Sequence, residues 1–364
     1  MDGFEIERTR ISQIENGERA ARSERPASDV SAGPVHVDLE RAIEAFEAEP
    51  LPPVPDDVRI IAKLMKNARI LMEAGETRLA FNILRNVLIR QPDHPEALRN
   101  MGTSLRDASR FDEALKCFRA LYKVTRETDA QLQVAETLYL CERDDMALGS
   151  YREVMKKGVA DPKQLFEIYK NVGNIHVRAG DFESAEEYYD KAYTIFPESD
   201  ILLVNYGTLE IQRGSWDAAV ERFRQAVAAN PQNDRAWVGL AMVHRTMGDL
   251  ELGKGNIERA LDINPSNRTA LKLAVEWSIQ DYDYAPALRR LEAYVSNAGG
   301  EDAEMCFIFA KLLVQAGRLA QARIELERVL ALDPGIEGGD ALARALDREL
   351  IRLQEARKQE VESA

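Results

Sequence analysis

From Ile61 onward, apolar residues return every three to four positions, in runs separated by short polar breaks. That spacing predicts amphipathic helices of about 13 residues. The runs come in pairs, and eight pairs begin at residues 61, 95, 128, 166, 200, 234, 268 and 303. Each pair reads as two antiparallel helices. The segment from Asp200, DILLVNYGTLEIQRGSWDAAVERFRQAVAANPQN, aligns without a gap on the segment from Asp234, DRAWVGLAMVHRTMGDLELGKGNIERALDINPSN. Leu203 then faces Trp237, Tyr206 faces Leu240, Gly214 faces Gly248, Phe223 faces Ile257 and Pro231 faces Pro265. The period is about 34 residues.

Two places in each repeat hold small residues. The eighth carries Ala68, Gly102, Ala135, Gly173, Gly207, Ala241, Val275 and Ala310. The twentieth carries Ala80, Ala114, Ala147, Ala185, Ala219, Gly253, Ala287 and Ala322. These mark where the two helices of a hairpin cross most closely, and a larger group there would overpack the contact. Pro92, Pro197, Pro231, Pro265 and Pro334 end five repeats, because proline cannot continue a helix interior. A period near 34, small residues at fixed offsets and a closing proline resemble the tetratricopeptide (TPR) repeat over residues 61–336. The resemblance implies an all-α fold: a right-handed α-solenoid superhelix of about eight TPR helix hairpins with a C-terminal capping helix. The array is expected over 58–336, the capping helix over 337–358 and a short tail over 359–364.

The repeats are unequal. In the one from 128, Gln131 stands where a large apolar residue is usual, and GVADPKQ (Gly158 to Gln164) replaces the short closing turn. In the one from 268, Val275 fills the small place and Asn297-Ala-Gly-Gly300 replaces the proline turn. Both are candidate bends or hinges. After a Gly338-Gly339 break, Leu342, Leu346, Leu350 and Leu353 share one face of the last helix, which fits a solenoid cap.

Residues 1–57 read as a largely disordered acidic segment ending in PLPPVP (Pro50 to Pro55). They hold 14 acidic and 6 basic side chains, of a chain whose net charge is −14. That balance argues against a nucleic-acid binder, which needs a basic face. Within the segment, Asp38 heads a possible short helix over 38–48 with Leu39, Ile43 and Phe46 at i, i+4 and i+7. Residues 36–49 fit three roles: a cap docked on the first repeat, a transient unattached helix, or a peptide for a partner or for the protein's own groove.

No apolar run approaches the roughly 18 residues of a membrane span, and the polar start MDGFEIERTR has no signal-peptide core. Cys117, Cys141 and Cys306 make neither a disulfide framework nor a metal pair, which suggests a reducing, cytoplasmic compartment. His176 and His244 occupy equivalent places two repeats apart and read as packing residues. Gly253-Lys-Gly255 lies where a second helix runs and lacks the GK[ST] ending of a phosphate loop. No catalytic, cofactor or metal motif is therefore expected, and the chain does not read as an enzyme.

In the TPR family the first helix of each hairpin lines a concave groove, with the second, fifth, sixth, ninth, twelfth and thirteenth places pointing inward. Here the sixth place holds Asn100, Asn171 and Asn205, and the ninth holds Asn174. An asparagine amide can pair with both polar groups of an extended peptide backbone. In the repeats from 166, 200 and 234 the inward charges are Lys170, Arg178, Arg235 and Arg245 against Glu167, a basic strip in an acidic protein. The set is similar to the carboxylate clamp with which co-chaperone TPR domains hold acidic chaperone tails. Lys170, Asn174, Asn205 and Arg235 match it, and Gly239 stands where the clamp has a second basic residue, so the strip fits a tail clamp, a groove for another acidic peptide, or charge that merely solvates the face.

The resemblance thus implies a non-catalytic scaffold or adaptor that binds a peptide segment of a partner, with an acidic segment favoured. Two other classes fit the same array. One is a chaperone-like TPR protein shielding a secretion or assembly client. The other is a regulatory subunit of an enzyme encoded elsewhere.

Overall fold

A computed structural model describes residues 57–297 and 301–363, which form seventeen α-helices and no strand. The chain divides into two compact units, Met1–Pro197 and Glu198–Ala364. The first contains α1 (Asp57–Glu73), α2 (Thr77–Arg90), α3 (Pro95–Asp107), α4 (Phe111–Thr125), α5 (Thr128–Leu140), α6 (Asp144–Lys157), α7 (Pro162–Arg178) and α8 (Phe182–Ile195). The second contains α9 (Asp200–Arg213), α10 (Trp216–Ala229), α11 (Asp234–Thr246), α12 (Leu250–Ile263), α13 (Arg268–Asp281), α14 (Ala285–Asn297), α15 (Ala303–Gln315), α16 (Leu319–Leu332) and α17 (Gly339–Ser363). Each unit is a stack of helix hairpins, the α-solenoid arrangement. The expected short helix over 38–48 and residues 298–300 lie outside the described residues.

Local chemistry sets the helix ends. Asp161, Ser199, Asn233, Asn267 and Asp302 each accept a backbone N–H with the side chain at the start of a first helix. Inside each hairpin the fifteenth place is left-handed. Glycine fills it five times, and Ser109, Glu142 and Tyr282 fill it at φ of 60°, 58° and 56°. The closing turns tie back to the start of their own repeat. Asn230 and Asn233 both donate to Asp200 Oδ2, at 2.6 and 2.9 Å. Asn264 and Asn267 do the same to Asp234, at 2.6 and 3.0 Å.

The small places are buried. Ala68, Ala114, Ala135, Ala185, Ala219, Ala241 and Ala322 are all fully covered. Where the eighth place is glycine, an aromatic ring fills the space. A Cβ on Gly102 would lie 2.7 Å from Phe118, and one on Gly207 would lie 2.7 Å from Phe223. Tyr189 crowds Gly173 more tightly still. These rings are among the largest side chains fully withdrawn from solvent, so hairpin packing rests on matched sizes.

Two expectations are corrected. GVADPKQ is not an extended turn: Pro162 starts α7 under the Asp161 cap, leaving a four-residue link. The last helix runs on to Ser363, past the expected end at 358, and Leu353 is exposed while Leu346 is the buried leucine.

Candidate functional site

In the first unit the candidate residues Lys170, Asn171, Asn174 and Arg178 lie on α7. Lys170 Nζ lies 2.5 Å from Glu167 Oε2 and 5.7 Å above the Phe166 ring, with its side chain 12% exposed. Asn171 is buried and donates to the Tyr151 hydroxyl at 3.2 Å. Burial holds that phenol well above its usual range, so it stays a neutral hydroxyl. Asn174 donates to the Tyr139 hydroxyl at 2.8 Å and accepts from the Tyr189 hydroxyl at 2.6 Å. Arg178 forms a two-pronged pair with Asp144 and lies 4.9 Å over the Tyr139 ring. Each polar group here has a partner from its own chain.

The second unit divides differently. Arg245 grips Asp281 at 2.8 and 2.9 Å, donates to Gln280 and stacks over Trp277. That fork, with Lys254 at 3.2 Å, holds the Asp281 carboxyl down at about 2. Asn205 is half-buried on α9. Arg235 is exposed at the start of α11 and makes no ion pair among the described residues. At the matching place on α9, Ile201 is 50% exposed.

The expected basic strip is therefore largely neutralised. Glu167 answers Lys170, Asp144 answers Arg178 and Asp281 answers Arg245. Asp144 and Asp281 escaped the sequence reading because they stand one repeat away, at the hairpin turns. Gly239 also has a packing reason. A Cβ there would overlap the Phe223 ring, which already presses on Gly207. No lysine or arginine can replace it without displacing that ring, so the fifth clamp position is closed by the core.

A wider set of charges was missed for the same reason. Arg69 pairs with Glu96 at 2.6 Å. Arg106 reaches Gln133 at 2.7 Å and Glu136 at 3.2 Å. Arg268 and Lys272 converge on Glu304. All join one repeat to the next, at separations near the repeat period, which is the signal that a search for charge pairs at that spacing could have found. Burial outweighs Arg106 at Glu136 and pushes its carboxyl up.

The remaining candidates are structural. His176 stacks on Tyr188 and faces Asp181 at 3.1 Å, and His244 is buried. Gln131 is buried too, donating to Glu153 at 2.5 Å and accepting from Lys157 at 2.6 Å. Burial pushes the Cys117 thiol up to about 12. Among the described residues no group of three or more potential ligands could hold a metal, and no helix is long and apolar enough to cross a membrane.

Three tetratricopeptide repeat family models match this chain: one at residues 164–232, one at 65–131 and 206–268, and one at 303–336. None of these stretches includes 132–163 or 269–302, within the two degenerate repeats. Human tetratricopeptide repeat protein 21A is 26% identical over 145 residues, which is 39% of this chain and 10% of that protein. Human tetratricopeptide repeat protein 16 is 24% identical over 144 residues, 37% of this chain and 16% of that protein. This chain thus spans about a tenth to a sixth of the length of these curated relatives. Among solved structures, PilW, described as a widely conserved type IV pilus biogenesis factor, superposes with a TM-score of 0.52 at 12% identity. That match covers 59% of this chain and 98% of PilW, and it speaks to the fold alone. With the helix hairpins, the small crossing places and more than half of its residues matched by these models, the chain belongs to the tetratricopeptide repeat family.

Proposed function

We propose that this chain is a non-catalytic scaffold that holds a peptide segment of a partner protein along the first helices of its second unit. TPR repeats are in general protein–protein interaction modules, so the coarse role follows from the family. The observation that carries the finer reading is the contrast among the four candidate cations. Lys170, Arg178 and Arg245 are occupied by carboxylates, whereas Arg235 is exposed and without an ion pair among the described residues. Helices α9 and α11 pack side by side, which supports a surface where exposed Ile201 supplies apolar contact beside Arg235. A partner segment with apolar side chains and one carboxylate for Arg235 fits this surface better than a strongly acidic tail does. The three cysteines form no disulfide among the described residues, which is consistent with a reducing compartment.

The test is fluorescence anisotropy on a panel of labelled peptides, apolar with zero, one or four carboxylates, against the full chain. The single-carboxylate peptide is expected to bind best, and Arg235→Glu to weaken it by about threefold to tenfold at low salt. A rim charge of this kind is screened over about 8 Å at physiological ionic strength, so the loss shrinks as salt rises. Equal affinity of wild type and Arg235→Glu for every peptide, at low and high salt, would overturn the reading.

A further inference from the structure

In the first unit, each later first helix is covered on one face by the second helix of the repeat before it. The third place of the repeat is then buried, as Ala97, Ala130 and Ile168, and so is the seventh, as Met101, Val134 and Val172. In α1 those two places hold Lys63 and Asn67, and both are exposed. Around them, Ile60, Leu64 and Leu71 share a stripe with Asn67 at i, i+4, i+7 and i+11. Ile60 is 39% exposed, and Leu64 and Leu71 are half-buried. The face of α1 that should meet a preceding helix thus carries exposed Ile60, Lys63 and Asn67 beside Leu71 and beside Leu64, which leans on the core, and no helix lies over it among the described residues. Arg59, Lys63 and Lys66 border it, and none of them makes an ion pair among those residues.

We propose that residues 36–49 of the same chain supply the absent helix and dock on this face of α1. The chemistry matches on two counts. Leu39, Ile43 and Phe46 give the segment one apolar stripe at helical spacing. Its charge is opposite: residues 36–49 carry five acidic side chains and one arginine, while residues 57–90 carry seven basic and three acidic. The connection also fits. Second helices in this protein reach the next first helix through short links, two residues between Thr125 and Thr128 and four between Arg90 and Pro95. The PLPPVP stretch provides a somewhat longer link. At about 3.1 Å per residue it reaches about 19 Å, enough to span the 8–10 Å between packed helix axes. A tether of that length gives an effective concentration in the millimolar range, so a weak contact is well occupied.

Hydrogen exchange on the full chain tests this. The amides of residues 39–48 are expected to exchange at least about tenfold more slowly than in an unstructured peptide, at any protein concentration. Ile43→Glu with Phe46→Glu should abolish that protection and speed exchange around Leu64, without altering α9–α17. Ile60→Glu with Lys63→Glu, both at exposed positions, should remove the same protection from the other side. Unstructured-peptide rates over 39–48 in the wild type would overturn the proposal. So would protection that rises with protein concentration, which would assign the face to a second copy. Protection untouched by Ile60→Glu with Lys63→Glu would mean that the segment docks elsewhere. None of these results depends on Arg235 or its peptide, so the two readings stand or fall separately.

Discussion

The Phe223 ring fills the space that a side chain on Gly207 would need: a Cβ there would lie 2.7 Å from two ring carbons, Cε1 and Cζ. The same ring edge meets Gly239 of the next repeat. Phe223 is therefore wedged between two glycines, one in its own hairpin and one in the following first helix. Gly207→Ala and Gly239→Ala should each destabilise the second unit by about 1–3 kcal/mol, with Gly207→Trp and Ala219→Leu at or beyond the upper end. Urea denaturation measures this, and an unchanged midpoint for Gly207→Trp would refute the register of that repeat. Phe223→Leu in the same background should recover part of the loss, because it removes the obstructing ring.

Arg245 and Asp281 give a pH signature. The Asp281 carboxyl titrates at about 2 when folded, against about 3.9 in an unfolded chain. Its contribution is therefore present above pH 4 and is lost as pH falls from about 4 to 2. Asp281→Asn should be less stable than the wild type by on the order of 1 kcal/mol at pH 6, with the gap closing toward pH 2. Urea midpoints across that range check it, and a gap that widens in acid would contradict the pairing.

Glu136 has the opposite sign. Burial raises its folded pKa, so its favourable term is present below the unfolded carboxylate range and is lost as pH rises through the folded value. Glu136→Gln should thus cost little at neutral pH. Arg106→Gln should cost roughly 1–3 kcal/mol, because it strands a covered carboxylate. Adding Glu136→Gln to Arg106→Gln should return much of that. A double-mutant cycle at pH 7 measures the coupling, and strict additivity would show that the two side chains act independently.

Tyr282 holds a left-handed conformation at φ 56° while 83% exposed, at the place where five other repeats use glycine. That backbone costs a residue with a Cβ about 1–2 kcal/mol. Glycine forfeits about 0.4–1 kcal/mol through the greater freedom of its unfolded chain. Strain wins, so Tyr282→Gly should raise stability by about 0.5–1 kcal/mol. A lower melting temperature for this variant would mean that the tyrosine side chain contributes to the fold.

The fold was readable because it rests on short-range rules. Apolar spacing located the hairpins, and Gly207, Ala219 and their equivalents marked where helices cross. Register across repeats could be read wherever two segments aligned without a gap. The candidate site was less readable, because its electrostatics are settled between repeats. Nothing near Arg178 in sequence announces Asp144, and nothing near Gly239 announces Phe223. Asn174 looked like a reader of peptide backbone because its type and place fit. Only the positions of Tyr139 and Tyr189 show that its amide bonds to its own chain. Tyr282 and Glu142 at left-handed places also run against residue preference, and geometry alone reveals them.

Asp200 and Asp234 close their repeats with two asparagine bonds each, so each of these 34-residue segments is fastened end to start. Such a clasp localises mechanical failure. Under a pulling force a repeat whose clasp opens can pay out its whole length, roughly 11–12 nm at about 3.3–3.6 Å per residue, while its clasped neighbour still holds. A force–extension trace of the second unit should therefore show steps of about that size where these two repeats yield. Asp200→Ala and Asp234→Ala should each lower the force of one step and leave its length unchanged.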